Sequence, residues 1–375
     1  MSKPQQQSGN AVHQAWAFRV ATVSGIPIRI HFTFLLFLAW VGFSGGSNGG
    51  LTWTLFVIAI FFCVVLHELG HALVAKRLGV ATRDITLYPI GGVAMLEGRP
   101  TPKQELWIAL AGPAVNVVLA LMMGVVLAIR HGGLPSIPTD VQHASFLEAL
   151  LIANVMLAVF NMIPAFPMDG GRVLRAALGL AMSEAKSTKI AGGIGQALAI
   201  ALAIAGIRTQ SFIWLMIAFF VFIGASQEIS ATVTRSFLAG HVLADAMQTG
   251  FRSITGGDSL ESAANVMIHG SQHDFPVTNG DEIIGLLTRS QLAQGLTADG
   301  PTGYVAGWML REFKTADPTV PLEQVMEMFP QSDSSPILVM EGDQLIGMVT
   351  LENLSEFIML EHAKAQGRQG SRSRA

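Results

Sequence analysis

Leu51 to Ala75 is an apolar run interrupted by three ionisable side chains, His67, Glu68 and His71. The run is long enough to cross a bilayer, which takes about 20 residues of helix. Each ionisable group at the bilayer centre costs at least ~2.5 kcal/mol, so all three need a local partner or a local task. In a helix, His67 and His71 stand one turn apart on one face and both imidazoles can reach one cation. Glu68 points about 100° away, where it can act on a water held by that cation instead of binding the cation itself. Counting along the run, His67 lies ~24 Å from Leu51 but only ~15 Å from Arg77, so water reaches it from the Lys76-Arg77 end. Cys63 shares the histidine face one turn earlier, but a small buried filler is a simpler reading than a fourth ligand.

The 375 residues are 51% hydrophobic and only 13% charged, against a usual charged share of about 25%. Long apolar stretches fill residues 1–230, while residues 240–375 read as soluble. A net charge of −3 argues against a nucleic-acid partner, and a single cysteine excludes an intrachain disulfide framework. The Gln-rich start shows no cleavable signal peptide. The fold class expected is a polytopic α-helical membrane protein with about six transmembrane helices and a membrane-associated β-hairpin, followed by a C-terminal α/β domain.

Residues 1–17 read as disordered, and residues 18–230 as the membrane-embedded domain. Phe18 to Val23 and Ile26 to Ile30 flank Ser24-Gly25 as a short surface hairpin. The first span, Phe32 to Phe43, is short, and Ile28 and Ile30 are expected to extend it. His31 at its start reads as an interfacial histidine, with a place in the site as the alternative. Gly45 to Gly50 is a polar turn. The remaining spans are expected at Leu51 to Ala75, Leu106 to Ile129, Phe146 to Met162, Ile190 to Ile207 and Phe212 to Ile223, with a polar loop at His131 to His143. Asp84 to Gly98 is too short to span, and Pro89 with Gly91-Gly92 would break a helix. It reads as a hairpin dipping toward the membrane, either to offer an edge strand to an extended substrate or as a connector. Asn116 in Leu106 to Ile129 reads as a hydrogen bond to a neighbouring helix.

Connections after the second and fourth spans carry Lys76, Arg77, Arg83, Arg99, Lys103, Arg172, Arg175, Lys186 and Lys189, whereas the opposite side has Arg130 and Arg208. By the positive-inside rule both termini and the nearer face of the His-Glu-Leu-Gly-His element are cytoplasmic, in a multi-pass protein of the plasma membrane.

Two histidines leave a catalytic zinc one protein ligand short. Asp169 is the natural third, because it emerges on the cytoplasmic side from Asn161-Met162-Ile163-Pro164-Ala165-Phe166-Pro167-Met168, a segment whose two prolines break the helix. The alternative is a turn aspartate capping the helix that starts at Gly170-Gly171-Arg172. Asp245 and Asp258 lie in the soluble part. Zinc would lower the pKa of a water, and Glu68 would take the proton and pass it to a leaving amine. Asn161 can donate to a substrate backbone or cap its helix.

These elements, together with Gly91-Gly92 and Ala111-Gly112-Pro113 with Asn116, resemble the site-2 protease family of intramembrane zinc metalloproteases over roughly Ile26 to Ile229. The resemblance implies one Zn2+ per chain on His67, His71 and Asp169, Glu68 as general base, and Asn161 holding substrate. It implies an endopeptidase of the bilayer that cuts single-pass membrane proteins near the cytoplasmic face, as in regulated intramembrane proteolysis. No PDZ-like insertion is present.

Residues 241–362 repeat with an offset of about 62. Phe275-Pro276-Val277 matches Ser335-Pro336-Ile337, and Ile284-Gly285-Leu286-Leu287-Thr288 matches Ile346-Gly347-Met348-Val349-Thr350. Each copy reads helix, strand, helix, two strands, helix. The repeat resembles a pair of cystathionine-β-synthase (CBS) domains, at 241–298 and 303–362, before a disordered basic tail at 363–375. Such pairs imply ATP or AMP in the cleft between copies, with Thr288 and Thr350 as contacts. The ribose-binding Asp of the family falls at Gln291 and Asn353, and a homodimerisation or substrate-docking module is the alternative. Two rival functions are a CBS-gated transporter, disfavoured by the lack of an inverted repeat, and a metal-bearing scaffold, disfavoured by Glu68.

Overall fold

The computed structural model describes residues 16–44, 50–131, 144–280, 282–329 and 335–372. The polar turn after Ser44, the loop after His131 and residues 1–15 of the expected disordered start lie outside these. The chain divides into one unit ending at Val233 and another beginning at Thr234.

The first unit opens with strands β1 (Ala17–Val23) and β2 (Ile26–His31), then helices α1 (Phe32–Ser44) and α2 (Gly50–Arg77). Strands β3 (Ala81–Tyr88) and β4 (Gly91–Glu97) follow. Helices α3 (Pro102–His131), α4 (Phe146–Asn161), α5 (Asp169–Gly179), α6 (Glu184–Arg208) and α7 (Phe212–Leu238) complete it, the last turn of α7 belonging to the second unit. Among the described residues four helices are long and apolar enough to cross a membrane: α2, α3, α6 and α7. The apolar α1 and α4 have 13 and 16 residues, short of that length. Six full spans therefore become four of membrane length and two shorter helices. Ile28 and Ile30 do not extend α1, because their alternating side chains pair in a sheet instead.

That sheet is the main departure from expectation. The two hairpins join into one four-stranded sheet, β1-β2-β3-β4, with β2 parallel to β3 and the other pairs antiparallel. Ile28, Ile85 and Ala94 lie in one row across three strands. Side chains of one row share a face, and this face packs on Leu69 and Ala72 of α2. The sheet thus covers the helix turn that carries the two histidines, and β4 forms its outer edge. His31 turns away to Thr33, 2.7 Å from Nδ1 to Oγ1, and to the Tyr88 ring, so it lines no site.

In the second unit, β5 (Ile254–Thr255), α8 (Leu260–Ile268), β6 (Phe275–Asn279), β7 (Glu282–Leu287) and α9 (Arg289–Ala298) make one copy. The other comprises β8 (Lys314–Ala316), α10 (Leu322–Met328), β9 (Ile337–Glu341), β10 (Gln344–Val349) and α11 (Leu351–Arg372). The leading helix expected in each copy is only a 3-10 turn, Leu243–Asp245 and Val305–Gly307. Each copy has a three-stranded sheet with one parallel and one antiparallel pair. The copies trade edges: Gln248 bridges Met348, and Leu310 bridges Leu286. Leu286, Leu338 and Met348 close an apolar core between them. Helix α11 runs to Arg372, past residue 363, where the basic tail was expected to begin.

Candidate metal centre

His67 and His71 stand on consecutive turns of α2 with their Nε2 atoms 3.0 Å apart. Asp169, the first residue of α5, places Oδ2 3.1 Å from each of them. All three side chains are buried. The N-cap of α5 is Met168, and the Asp169 carboxylate faces the imidazoles, not the end of its own helix. The broken segment between α4 and α5 is partly packed inside protein, with Ala165, Phe166 and Met168 buried and Met162, Pro164 and Pro167 exposed.

Three electron-pair donors this close repel unless a proton or a cation lies among them. The other ring nitrogens decide which. His71 Nδ1 donates to the backbone carbonyl of Ile108 at 2.6 Å, and a carbonyl only accepts, so Nδ1 carries a proton and in the neutral ring Nε2 is bare. His67 Nδ1 donates to Asn116 Oδ1 at 2.5 Å. The bare triangle, with edges of 3.0–3.1 Å, approaches the ~3.3 Å edge of a tetrahedron around zinc with bonds of ~2.0–2.1 Å. Among the described residues it is the single cluster with metal-ligand geometry. A Cβ at Gly112 of α3 would stand 2.2 Å from His71 Nε2 and 2.6 Å from His67 Nε2, so only glycine leaves the space beside the triangle open. The residues fit zinc.

Glu68 is half-buried on the adjacent face of α2, against β4. A Cβ at Gly92 would lie 2.6 Å from its Cγ. Asn161, the last residue of α4, is half-buried and makes no hydrogen bond to the triangle. Cys63 is buried but outside the triangle.

Sequence reasoning missed the groups that brace this centre. Arg172 Nη1 lies 3.6 Å from Asp169 Oδ1, the carboxylate oxygen facing away from the histidines. Buried Glu105 of α3 accepts from Arg175, which also pairs with Glu228 of α7. Asn154 of α4 is fully buried and bonded to Asn116. An amide in the middle of an apolar stretch, Leu150 to Phe160, was the available signal for it.

In the second unit, Thr288 and Thr350 serve as helix N-caps. Thr288 Oγ1 accepts from Gln291 N at 3.3 Å, and Thr350 Oγ1 accepts from Asn353 N at 3.1 Å. The amides at the two ribose-Asp positions turn back onto the same hydroxyls, at 3.2 and 2.9 Å. Burial pushes the nearby Asp274 carboxyl up, opposed by the N–H that Arg289 donates to it.

Comparison with known proteins adds the lineage. The model of peptidase family M50 matches residues 55–136 and 132–204, which hold the histidines and Asp169 respectively. A zinc metalloprotease of Methanocaldococcus jannaschii is 31% identical over 335 residues, covering 89% of this chain and 94% of that protein. The chain belongs to peptidase family M50. It is a zinc metalloprotease of the site-2 protease type and a multi-pass membrane protein. The M. tuberculosis protein Rip3 is 30% identical over 373 residues, covering 91% of this chain and 93% of that one. A solved site-2 protease from M. jannaschii is 40% identical, covering 57% of this chain and 95% of its own, at a TM-score of 0.44. The CBS-domain model matches residues 243–297 and 305–360, so this M50 peptidase carries a CBS pair.

Proposed function

We propose that His67, His71 and Asp169 hold one zinc ion and that Glu68 is the general base of an intramembrane endopeptidase. The observation that carries this is the buried triangle of donor atoms, drawn from α2 and from the start of α5. When bound, zinc supplies the Lewis acid that brings the pKa of a water molecule to about 7. Glu68 takes that proton and delivers it to the leaving amine. The water oxygen bonds to the peptide carbonyl carbon, the C–N bond breaks, and a carboxylate and an amine are the products.

The substrate is a transmembrane segment of a single-pass protein, cut near the cytoplasmic face. Two features support it: the site is built on apolar helices, and the basic connections lie at its nearer end. A helical substrate hides its carbonyls, so it must unwind before attack. Outer strand β4 offers an unpaired edge for an extended chain beside Glu68, and Asn161 donates to the substrate backbone. The CBS pair takes an adenine nucleotide or joins two copies. With each ribose position held by an amide and each Thr hydroxyl engaged in a cap, the geometry weighs against the nucleotide and leaves a homodimerisation or substrate-docking module. Replacing Glu68 by Gln in the full-length protein tests the chemistry: zinc content stays at one per chain and cleavage of a single-pass reporter in liposomes stops. Cleavage retained by that variant removes Glu68 from the mechanism.

A further inference from the structure

We propose that Asn154 is a positioning residue that, acting through Asn116, fixes which nitrogen of His67 faces the metal. This rests on the zinc ligation proposed above.

The direction of the hydrogen-bond chain can be read from its far end. Asn154 Nδ2 donates to the backbone carbonyl of Leu150 at 2.9 Å. A carbonyl accepts and never donates, so the amino group of Asn154 must face it. The second hydrogen of that amino group points at weak sulfur acceptors, Cys63 Sγ at 3.4 Å and Met123 Sδ at 4.0 Å. Asn154 Oδ1 is therefore the atom left for Asn116, whose Nδ2 donates to it at 2.9 Å. Asn116 then presents Oδ1 to His67, and only a protonated Nδ1 can answer it, at 2.5 Å. In the neutral ring Nε2 is then left with its lone pair toward His71 and Asp169. Both asparagines are fully buried, so no water competes for either amide. With a non-polar residue at 154, Asn116 is free to rotate by 180° and offer its amino group to His67. That would favour the Nε2–H tautomer, which cannot bind a metal through Nε2. His71 needs no such relay, because the Ile108 carbonyl acts on it directly.

The test uses the full-length protein in detergent. Zinc affinity is measured by competition with a chromophoric chelator for wild type, Asn154→Leu, Asn116→Leu and the double variant. Asn154→Leu is expected to weaken zinc 10- to 100-fold, the range for partners of metal-ligating histidines. Acting in series, the two asparagines are expected to give a double variant no weaker than Asn116→Leu alone. An Asn154→Leu protein with wild-type zinc affinity, or two losses that add, overturns the relay. If the variants do not fold, the wild type still decides. In 15N-histidine spectra of the zinc-free protein at pH 8, His67, assigned by its loss in His67→Gln, is expected as the Nδ1–H tautomer. An Nε2–H tautomer there overturns the proposal. A wild type that binds no zinc removes both this inference and the ligation it rests on. One that binds zinc, with Asn154→Leu unchanged, removes the inference alone.

Discussion

Asp169 Oδ2 lies 3.1 Å from His71 Nε2 although 98 positions of sequence separate the two residues. The first turn of α5 and the C-terminal half of α2 meet there because the segment between α4 and α5 is not helical. A continuous helix through Pro164 and Pro167 would carry Asp169 along the α4 axis instead of turning it back toward α2.

Two glycines separate metal binding from turnover. Gly112→Ala puts a methyl 2.2 Å from His71 Nε2 and 2.6 Å from His67 Nε2. The expected outcome is a loss of zinc affinity of roughly 100-fold or more, with helix content unchanged, since alanine is the better helix former. Metal analysis after dialysis, read beside circular dichroism, checks it.

Gly92→Ala acts on the other function. Its methyl would stand 2.6 Å from Glu68 Cγ and displaces the carboxylate, leaving the three ligands untouched. The protein is expected to keep its full zinc content while kcat falls by roughly 10-fold or more, the scale of a mispositioned general base. Equal kcat in this variant and wild type would show that Glu68 does not need that position.

Arg175 binds buried Glu105 and half-buried Glu228. Arg175→Met leaves the buried Glu105 carboxylate with Arg172 alone, whose Nε lies 4.0 Å from Oε1. Because Arg172 stays, the cost is expected below the ~3–5 kcal/mol of an uncompensated buried charge, and thermal unfolding in detergent would report it as a lowered Tm. Adding Glu105→Gln to that variant is expected to restore part of the loss, because the under-compensated buried charge is then gone.

Asp274 gives a pH signature in the second unit. Its folded pKa is raised, so between the ordinary carboxylate value and the raised one the folded state binds more protons than the unfolded state. Its contribution to stability therefore falls as pH rises through that window. Asp274→Asn preserves the oxygen that accepts from Arg289 N and removes the buried charge. The variant is expected to melt higher than wild type at pH 7, with the gap closing as pH approaches 4. A gap independent of pH would contradict the assignment.

The histidine pair was legible in the sequence because its information is local: four residues apart in a helix is one face. Asp169 was legible because two prolines and a glycine pair mark broken backbone beside a carboxylate. The repeat in the second half was legible because its strand residues recur at a fixed offset. The sheet was not, since its joining contact, Ile28 against Ile85, is a parallel pairing between distant segments whose apolar alternation also suits a helix end. Nor was the Asn154 relay, for its meaning depends on Asn116 and on a backbone carbonyl that no side-chain pattern records.

The most direct test of the centre is zinc K-edge X-ray absorption on the purified full-length protein, with metal content measured on the same sample. The expected result is one zinc per chain with two imidazoles and oxygen ligands at ~2.0–2.1 Å, and the loss of one oxygen scatterer or of the metal itself in Asp169→Ala. Sulfur scattering at ~2.3 Å, or an Asp169→Ala spectrum identical to wild type, would contradict the assignment.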